Sequence, residues 1–382
     1  MASVSLKQVH KTFPNGFEAV KNIDLDVEDG EFVVFVGPSG CGKSTIIRMV
    51  AGQEMVTSGE IKINGKQLKE INPKELSMAM VLQNYALYPK LTVEENLAFG
   101  LEKRGYPKEE IEARSREVAA DLHLADIYNK KPKSLSASQR QRVALGRALI
   151  LKPDLLILDE PLAGLEKEIR ESVVQSMAKK HAEIKNTILY VTHSVKEAKI
   201  LASQIVVMKR GEVIQKGTYK ELYYKPENAF VAEFINEPDI NLIDGQYEVL
   251  EGRAYITTEL GEFYIKLEQK EMEEIHKRKR EVIVGIRPED ITLGKGREKD
   301  SVRFSKRIEG VLKEEESTLL TMRVANRSFN TLMRGEYKGK ADAVEEFCVE
   351  TDRIYVFDRK TKELILAESK LNIKPNQYCW KS

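Results

Sequence analysis

The chain has 382 residues, which is too long for one average domain and predicts two or three. Charged residues make up 32% of it but the formal net charge is only +1, which indicates a soluble globular protein without the global basic field that holds nucleic acid. Cys41, Cys348 and Cys379 are too few and too widely spaced for a zinc pattern or a disulfide framework, so a reducing compartment fits best.

The N-terminal segment lacks the apolar core of a signal peptide. No apolar run approaches the roughly 18 residues that are needed to cross a bilayer. We therefore expect any work at a membrane to depend on a partner protein.

Short apolar runs alternate with helical patterns as far as about residue 215, which predicts a mainly parallel α/β sheet. The predicted strands are EFVVFVG (31–37), GEIKING (59–65), MAMVLQ (78–83), DLLILDE (154–160), TILYVTH (187–193) and a hairpin in QIVVMKRGEVIQKG (204–217). The predicted helices are STIIRMVAG (44–52), a largely helical segment over 93–150, a helix ending near residue 184 and one after residue 193.

The segment GPSGCGKST (37–45) follows a predicted strand and opens a predicted helix, as the phosphate-loop pattern G-x-x-x-x-G-K-[ST] requires. Glycines let the backbone wrap around a phosphate with its N–H groups pointing inward, and the helix N-terminus favours negative charge. Lys43 can reach the β- and γ-phosphates, and Ser44 can hold Mg²⁺. The candidate nucleotide-binding residues of this loop are Gly37, Ser39, Gly40, Cys41, Gly42, Lys43, Ser44 and Thr45.

Polar side chains end three of the later strands. Asp159 and Glu160 close DLLILDE, where Asp159 suits the binding of Mg²⁺ through water and Glu160 suits the activation of an attacking water. Gln83 and His193 each end a strand as well. Since ligands bind at the carboxyl ends of the strands in such sheets, we expect these groups to share one site.

The pattern changes after PENAFVAEFINEPDIN (226–241), where short β-rich segments begin. They predict a small antiparallel β domain, with a barrel as one possible arrangement. Within it, EQKEMEEIHKRKR (268–280) indicates one charged helix with acids early and bases late. The predicted organisation is a first domain over 1–236 with a helical subdomain at about 84–150, a β-rich accessory domain over 237–370 and a loose tail over 371–382.

The order of these motifs resembles the ABC transporter ATPase family over nearly the whole chain. The matching stretches are VLQNYALYP (81–89, the glutamine loop), LSASQRQRVALGRAL (135–149, the signature stretch), LLILDEPLAGLE (155–166, the second acidic motif) and VTHSVKEA (191–198, the histidine loop). ELYYKPENAFVAEFI and the later GIRPED (285–290) are similar to the carbohydrate-importer ATPases of the maltose, multiple-sugar and glycerol-3-phosphate types. The resemblance implies a P-loop NTPase cassette of α/β class with a helical subdomain, followed by a small OB-like regulatory domain.

The resemblance also implies an ATP-hydrolysing enzyme that works as a pair of subunits, either a homodimer or a heterodimer with a related ATPase. Each of two ATP molecules would lie between the phosphate loop of one subunit and the signature stretch of the other, which contributes Ser136 and Gln139. Phe13 would stack on adenine, Gln83 would sense Mg²⁺ and the attacking water, and His193 would contact the γ-phosphate. The implied catalytic residues are Lys43, Gln83, Glu160 and His193, and the implied Mg²⁺ residues are Ser44, Gln83 and Asp159.

The partners implied in this way are transmembrane permease subunits, which the QNYALYP region would contact, and indirectly an external solute-binding protein. The chain would be peripheral, at the cytoplasmic face of the cell membrane, and would bind no nucleic acid.

Four positions depart from the family pattern. Ala137 and Ser138 replace the two glycines of the signature stretch. Each adds a side chain where the resemblance implies close approach to the γ-phosphate of the opposing site, and a steric shift of ~1 Å there would lower the rate on the order of 100-fold. A non-glycine residue would also cost about 1–2 kcal/mol if the backbone needed a positive φ. Glu166 replaces the usual Asp after the acid pair, and Ser194 replaces the Asp that importers have beside the histidine. We expect the change at Ser194 to matter less than the others.

Two alternatives to the importer ATPase remain open from the sequence. One is a degenerate nucleotide-binding subunit with little hydrolysis, acting with an intact ATPase partner; Ala137 and Ser138 favour it, and the intact Glu160 opposes it. The other is a soluble ABC protein of translation or repair, which is opposed by the single cassette and by the lack of a long coiled-coil insertion.

Overall fold

A computed structural model of the protein describes residues 2–71, 77–82, 86–250, 253–265, 281–294 and 301–367. The chain divides into two compact units, Met1–Tyr219 and Lys220–Ser382. Gln83, the charged helix predicted over 268–280 and the predicted tail over 371–382 lie outside the described residues. The domain boundary predicted after residue 236 stays a prediction.

The first unit contains two sheets. Its strands are β1 (Val4–Thr12), β2 (Glu18–Val27), β3 (Phe32–Val36), β4 (Ser58–Ile63), β5 (Lys66–Gln67), β6 (Met78–Val81), β7 (Leu155–Asp159), β8 (Thr187–Val191), β9 (Gln204–Lys209) and β10 (Glu212–Gly217). The larger sheet has the order β10-β9-β3-β8-β7-β6, and all of its pairs are parallel except the β9–β10 hairpin. The predicted α/β fold with a mainly parallel sheet is therefore confirmed.

Three central strands carry the core of this sheet. In β3, β7 and β8 all five residues are buried, as expected for strands covered on both faces. Their sequences FVVFV, LLILD and TILYV are accordingly almost continuous apolar runs. Since these strands are parallel neighbours, their carboxyl ends lie together at one edge, which is where the candidate site is found.

The second sheet of this unit, with the order β2-β1-β4-β5, was not predicted from the sequence. Its pairs are antiparallel. Strand β1 buries Val4, Leu6 and Val9, so the apolar spacing changes from two residues to three at Gln8, whose φ is +48°. A bulge of this kind interrupts the alternation that would otherwise identify a half-buried strand.

The helices of the first unit are α1 (Lys43–Val50), α2 (Val93–Glu102), α3 (Lys108–Asp121), α4 (Ala137–Leu149), α5 (Lys167–Ile184) and α6 (Val195–Leu201). A capping box starts α2, with the Thr92 hydroxyl accepting from the Glu95 N–H and the Glu95 carboxylate accepting from the Thr92 N–H. Helices α2 and α4 approach closely because Gly146 has no side chain: a Cβ there would lie 2.7 Å from Leu97 Cδ2. Each described helix is too short or too polar to span a bilayer.

The second unit is β-rich, as predicted. Two short helices, α7 (Tyr219–Tyr224) and α8 (Ala229–Ile235), precede its strands β11 (Asn241–Leu250), β12 (Arg253–Thr258), β13 (Gly261–Ile265), β14 (Glu281–Ile286), β15 (Ile291–Leu293), β16 (Ser301–Lys313), β17 (Ser317–Val324), β18 (Arg327–Arg334), β19 (Val344–Glu350), β20 (Ile354–Asp358) and β21 (Leu364–Ala367). They form two antiparallel sheets, β13-β12-β11-β14-β20-β21 and β15-β19-β16-β17-β18, that share a large apolar core. A second, smaller apolar cluster joins α8 to β14 and β20. This arrangement agrees with the predicted OB-like domain.

The arginine of GIRPED is a structural centre of the second unit. Arg287 is only 1% exposed. Its guanidinium carbon lies 3.4 Å from the ring centroid of Tyr223 and 4.9 Å from that of Tyr355. It donates to Asn236 Oδ1 and to the Tyr223 carbonyl, and its Nε lies 3.2 Å from the Tyr355 hydroxyl. A planar cation with several donors fits this buried place, where a lysine could not match both rings and carbonyls.

We therefore expect Arg287→Met to lower the free energy of unfolding of the second unit by about 3 kcal/mol, because buried acceptors lose their donor. The measurement is urea unfolding of the full chain, with hydrogen exchange to locate the loss in β14 and β20. Arg359→Met is the matched control, since it removes a half-exposed arginine that lies 3.2 Å from Asp244. That variant should cost less than about 1 kcal/mol. Equal losses in the two variants would contradict the expectation.

Candidate nucleotide-binding site

The phosphate loop joins the end of β3 to the start of α1 through three glycines with positive φ. Gly37, Gly40 and Gly42 have φ values of +151°, +74° and +107°. A Cβ on Gly37 would lie 2.2 Å from the Met208 carbonyl oxygen, and one on Gly42 would lie 2.3 Å from that of Ala19. Only glycine fits these two positions, both for its backbone conformation and for the space it needs. The loop therefore has the tight turn that a backbone cradle for phosphate requires.

Lys43, the first residue of α1, is buried within the loop. Its ammonium group donates to the carbonyl oxygens of Gly37 at 2.7 Å and Pro38 at 2.9 Å. Ser39 and Gly40 are exposed, Cys41 is buried, and Ser44 and Thr45 are half-buried. The loop thus presents its tip to solvent and keeps one positive charge directly beneath it, which suits an anionic ligand.

Ser44 and Asp159 meet below the loop. The Ser44 hydroxyl donates to Asp159 Oδ1 at 2.7 Å, and an Arg48 Nη lies 3.6 Å from Asp159 Oδ2. Burial raises the pKa of the Asp159 carboxyl, although the hydrogen bond from Ser44 and the charge of Arg48 oppose that shift. Asp159 Oδ2 is buried and accepts no hydrogen bond from the described residues. An oxygen pair with a free acceptor fits Mg²⁺, which prefers hard oxygen ligands.

Glu160 and His193 form a second pair at the same edge. Glu160 Oε1 lies 2.5 Å from His193 Nε2, with the glutamate side chain 17% exposed and the imidazole 46% exposed. The Glu160 N–H donates to the Val191 carbonyl at 3.0 Å, and the Glu160 carbonyl accepts from Gln141 Nε2 at 3.2 Å. Its φ of +50° is costly for a residue with a side chain, and such strain is found mostly where function requires a fixed geometry.

The signature stretch starts helix α4 without backbone strain. Ser136 is the N-cap, its hydroxyl accepts from the Gln139 N–H at 3.1 Å, and Gln139 Oε1 accepts from the Ser136 N–H at 2.9 Å. Ala137 and Ser138 follow as the first helical residues, and neither has a positive φ. The cost considered for a non-glycine residue at a positive φ is therefore not incurred. This removes the backbone-strain argument for a degenerate subunit, whereas the crowding of a γ-phosphate of the opposing site by the Ala137 and Ser138 side chains stays a prediction.

The other two departures are helix N-caps. Ser194 caps α6, where its hydroxyl accepts from the Glu197 N–H at 3.2 Å. Serine and aspartate are both good N-caps, so this replacement is locally neutral. Glu166 precedes α5, is exposed and makes no side-chain capping bond, whereas an aspartate is well suited to that position.

The predicted adenine-stacking residue lies at the edge of the antiparallel sheet. Phe13 follows β1, is partly buried and packs against the core of the first unit, with Lys11 Nζ 5.1 Å from its ring centroid. Phe17 is the more accessible aromatic, with 54% exposure, and its carbonyl accepts from the Phe13 N–H at 2.9 Å. Stacking by Phe13 stays a prediction.

The structure thus brings together most of the predicted residues and adds others. Lys43, Ser44, Asp159, Glu160 and His193 lie at the shared strand edge, and Gln83 lies outside the described residues. Sequence reasoning missed Arg48 and Gln141. Arg48 lies four residues, or one helical turn, after Ser44 on α1, and that spacing was a usable signal. The contact from Gln141 to Glu160 joins two distant elements and had no such signal.

Known proteins resemble this chain in sequence and in fold. A family model described as ABC transporter matches residues 20–163. The chain is 45% identical over 293 residues to the sn-glycerol-3-phosphate import ATP-binding protein UgpC of Rhodopseudomonas palustris (strain BisA53), which covers 77% of this chain and 75% of the relative. It is 38% identical over 370 residues to the uncharacterized ABC transporter ATP-binding protein YurJ of Bacillus subtilis, covering 96% of this chain and all of the relative.

A solved structure also resembles part of the chain. The dimeric post-hydrolysis state of the ATP-binding cassette MJ0796, bound to ADP and phosphate, matches with a TM-score of 0.52 and 32% identity. The match covers 56% of this chain and 98% of that cassette.

Proposed function

The chain belongs to the ABC transporter family as an ATP-binding protein, and from that premise we propose that it is the ATP-hydrolysing subunit of an importer for a sugar or sugar phosphate. The observation that carries the proposal is the Glu160–His193 pair at 2.5 Å beside the Ser44–Asp159 pair. Several relatives are named as import ATP-binding proteins for sn-glycerol 3-phosphate, which makes a phosphorylated polyol the first cargo to test.

The proposed chemistry needs little from the protein beyond positioning and charge. Glu160 accepts the proton of the attacking water, and His193 holds the carboxylate in place through its short contact with Oε1. Lys43 leaves its two carbonyl acceptors to neutralise charge on the β- and γ-phosphates. Ser44 and Asp159, with Gln83, would hold Mg²⁺, which supplies charge neutralisation at the phosphates.

Two copies of the chain would form the working unit, in agreement with the dimeric cassette that the chain resembles over 56% of its length. In this arrangement Ser136 and Gln139 of one copy face the ATP on the phosphate loop of the other, and Phe13 stacks on its adenine. A heterodimer with a related ATPase is the alternative.

Permease subunits would hold the pair at the cytoplasmic face of the membrane, and an external solute-binding protein would act indirectly. The β-rich second unit would have a regulatory role.

The test is steady-state Mg-ATP hydrolysis by the purified full chain, beside Glu160→Gln and a double reversion of the signature, Ala137→Gly with Ser138→Gly. We expect the unmodified chain to turn over well above Glu160→Gln. The reversion should change the rate by less than about tenfold, because no strain at these residues is there to relieve. If the unmodified chain instead equals Glu160→Gln and the reversion restores turnover, the chain is a degenerate subunit that needs an intact partner.

A further inference from the structure

A buried group of polar side chains lies behind His193 and is not used in the chemistry above. At its centre is Glu197 of α6, which is 6% exposed. One of its oxygens, Oε2, accepts hydrogen bonds from the Tyr190 hydroxyl at 2.7 Å and from the Thr192 hydroxyl at 2.6 Å. A buried carboxylate is costly unless such donors compensate it, and hydrogen bonds to a charged acceptor are short and strong.

The residues directly before and directly after His193 both belong to this hydrogen-bonded group. Thr192, directly before His193, is buried and uses its hydroxyl twice: it donates to Glu197, and it accepts from the Ser194 N–H at 3.0 Å. Ser194, directly after His193, accepts with its own hydroxyl from the Glu197 N–H at 3.2 Å. The side chains of the residues before and after His193 are therefore both hydrogen-bonded to the same residue, Glu197.

Tyr190 anchors the far side of the carboxylate in the sheet. It is fully buried in β8, with its ring centroid 5.9 Å from that of Phe32. Burial raises the pKa of the Tyr190 hydroxyl well above its ordinary value, and the charge of Glu197 raises it further. The Tyr190 hydroxyl donates to the carboxylate, so the Glu197 side chain is held on the buried central strand β8.

We propose that Glu197 is a positioning residue that sets the His193 loop through the Thr192 hydroxyl, so that the imidazole meets Glu160. This inference rests on the proposed function, since it assumes that His193 and Glu160 act in ATP hydrolysis. A purely stabilising role of the buried group would change only the stability of the protein. The proposal predicts instead that loss of the Thr192 hydroxyl changes the position of the His193 imidazole. The Thr192 hydroxyl is the link to remove, since Thr192→Val keeps the shape of the side chain and Thr192→Ser keeps the hydroxyl.

The kinetic test is a double-mutant cycle in the full chain. We expect Thr192→Val to lower kcat about tenfold with KM for ATP changed less than about twofold, and Thr192→Ser to retain most of the rate. With His193→Ala already present, Thr192→Val should lower kcat no further, because both changes remove the same contact. If the losses in kcat of the two substitutions multiply in the double variant, or if Thr192→Val lowers the melting temperature and leaves kcat unchanged, the proposal is wrong.

A second readout separates this proposal from the proposed function. In protein labelled with ¹⁵N-histidine, the His193 ring signals, assigned by their loss in His193→Ala, report the contact with Glu160 without turnover. We expect them to move in Thr192→Val and in Glu160→Gln but not in Thr192→Ser. Unmoved signals in Thr192→Val would overturn the positioning role even in an active ATPase. Moved signals would support it even if the chain hydrolysed no ATP, a result that would count against the proposed function alone.

Discussion

Glu160→Gln is expected to lower the turnover number for ATP by about 10²–10⁴-fold while leaving ATP binding intact. Glutamine keeps the size of the side chain and an oxygen that can face His193, but it cannot take a proton from water at neutral pH. The strained backbone at Glu160 and its bonds to Val191 and Gln141 do not depend on the carboxylate. The site should therefore stay formed and lose only its base.

The measurement is the single-turnover rate of Mg-ATP hydrolysis together with equilibrium binding of ATP. Glu171→Gln is the matched control, because it makes the same change at an exposed glutamate of α5 and should leave both quantities within about twofold. A Glu160→Gln protein that kept more than a tenth of the rate would show that Glu160 is not the general base. A large loss of ATP affinity would show instead that the carboxylate supports the fold of the site.

Gly42→Ala is expected to weaken ATP binding by at least about 100-fold. The added Cβ would lie 2.3 Å from the Ala19 carbonyl oxygen, which belongs to a β-strand and cannot move aside cheaply, and φ at this position is +107°. Relief of the contact must displace Gly42 itself, which is the N-cap of α1 and directly precedes Lys43. Displacement of the loop by about 1 Å misplaces the N–H groups that would face the phosphates.

Gly65→Ala is the control for that prediction. Gly65 lies outside the phosphate loop and also has a positive φ, +76°, but a Cβ there would meet no atom within 4 Å. This variant should lose only the backbone strain of about 1–2 kcal/mol in stability, with ATP affinity within about twofold of the unmodified chain. Binding of a fluorescent ATP analogue and thermal melting of the three proteins decide the matter. Similar affinities for Gly42→Ala and Gly65→Ala would rule out the steric explanation.

Local sequence was sufficient wherever the chemistry lies on consecutive residues. The phosphate loop could be predicted because its glycines, Lys43 and Ser44 follow one another in a fixed pattern, and the geometry at Gly37 and Gly42 explains why glycine is needed there. Strands β3, β7 and β8 could be predicted because burial on both faces requires continuous apolar runs. The strand-end location of Asp159, Glu160 and His193 followed from the same runs.

Contacts between distant residues needed the tertiary structure. Glu160 and His193 are 33 positions apart, and their 2.5 Å separation depends on the pairing of β7 with β8. The burial of Arg287 between Tyr223 and Tyr355 likewise joins elements that are far apart in the sequence. The residues of the Glu197 network are close in the sequence, but their hydrogen bonds join β8 to α6, and no local pattern predicts them.

The sequence by itself determined the family, the phosphate loop and the sheet edge at which the polar groups gather, because each depends on short patterns of adjacent residues. Only the tertiary structure decided whether Ala137 and Ser138 are strained. Their backbone conformation depends on where helix α4 begins, and the Ser136–Gln139 capping box places that start before both residues. The bulge at Gln8 also could not be predicted. Its left-handed backbone shifts the apolar alternation from which strands are predicted, and the irregularity becomes visible only in the pairing of β1 with β2.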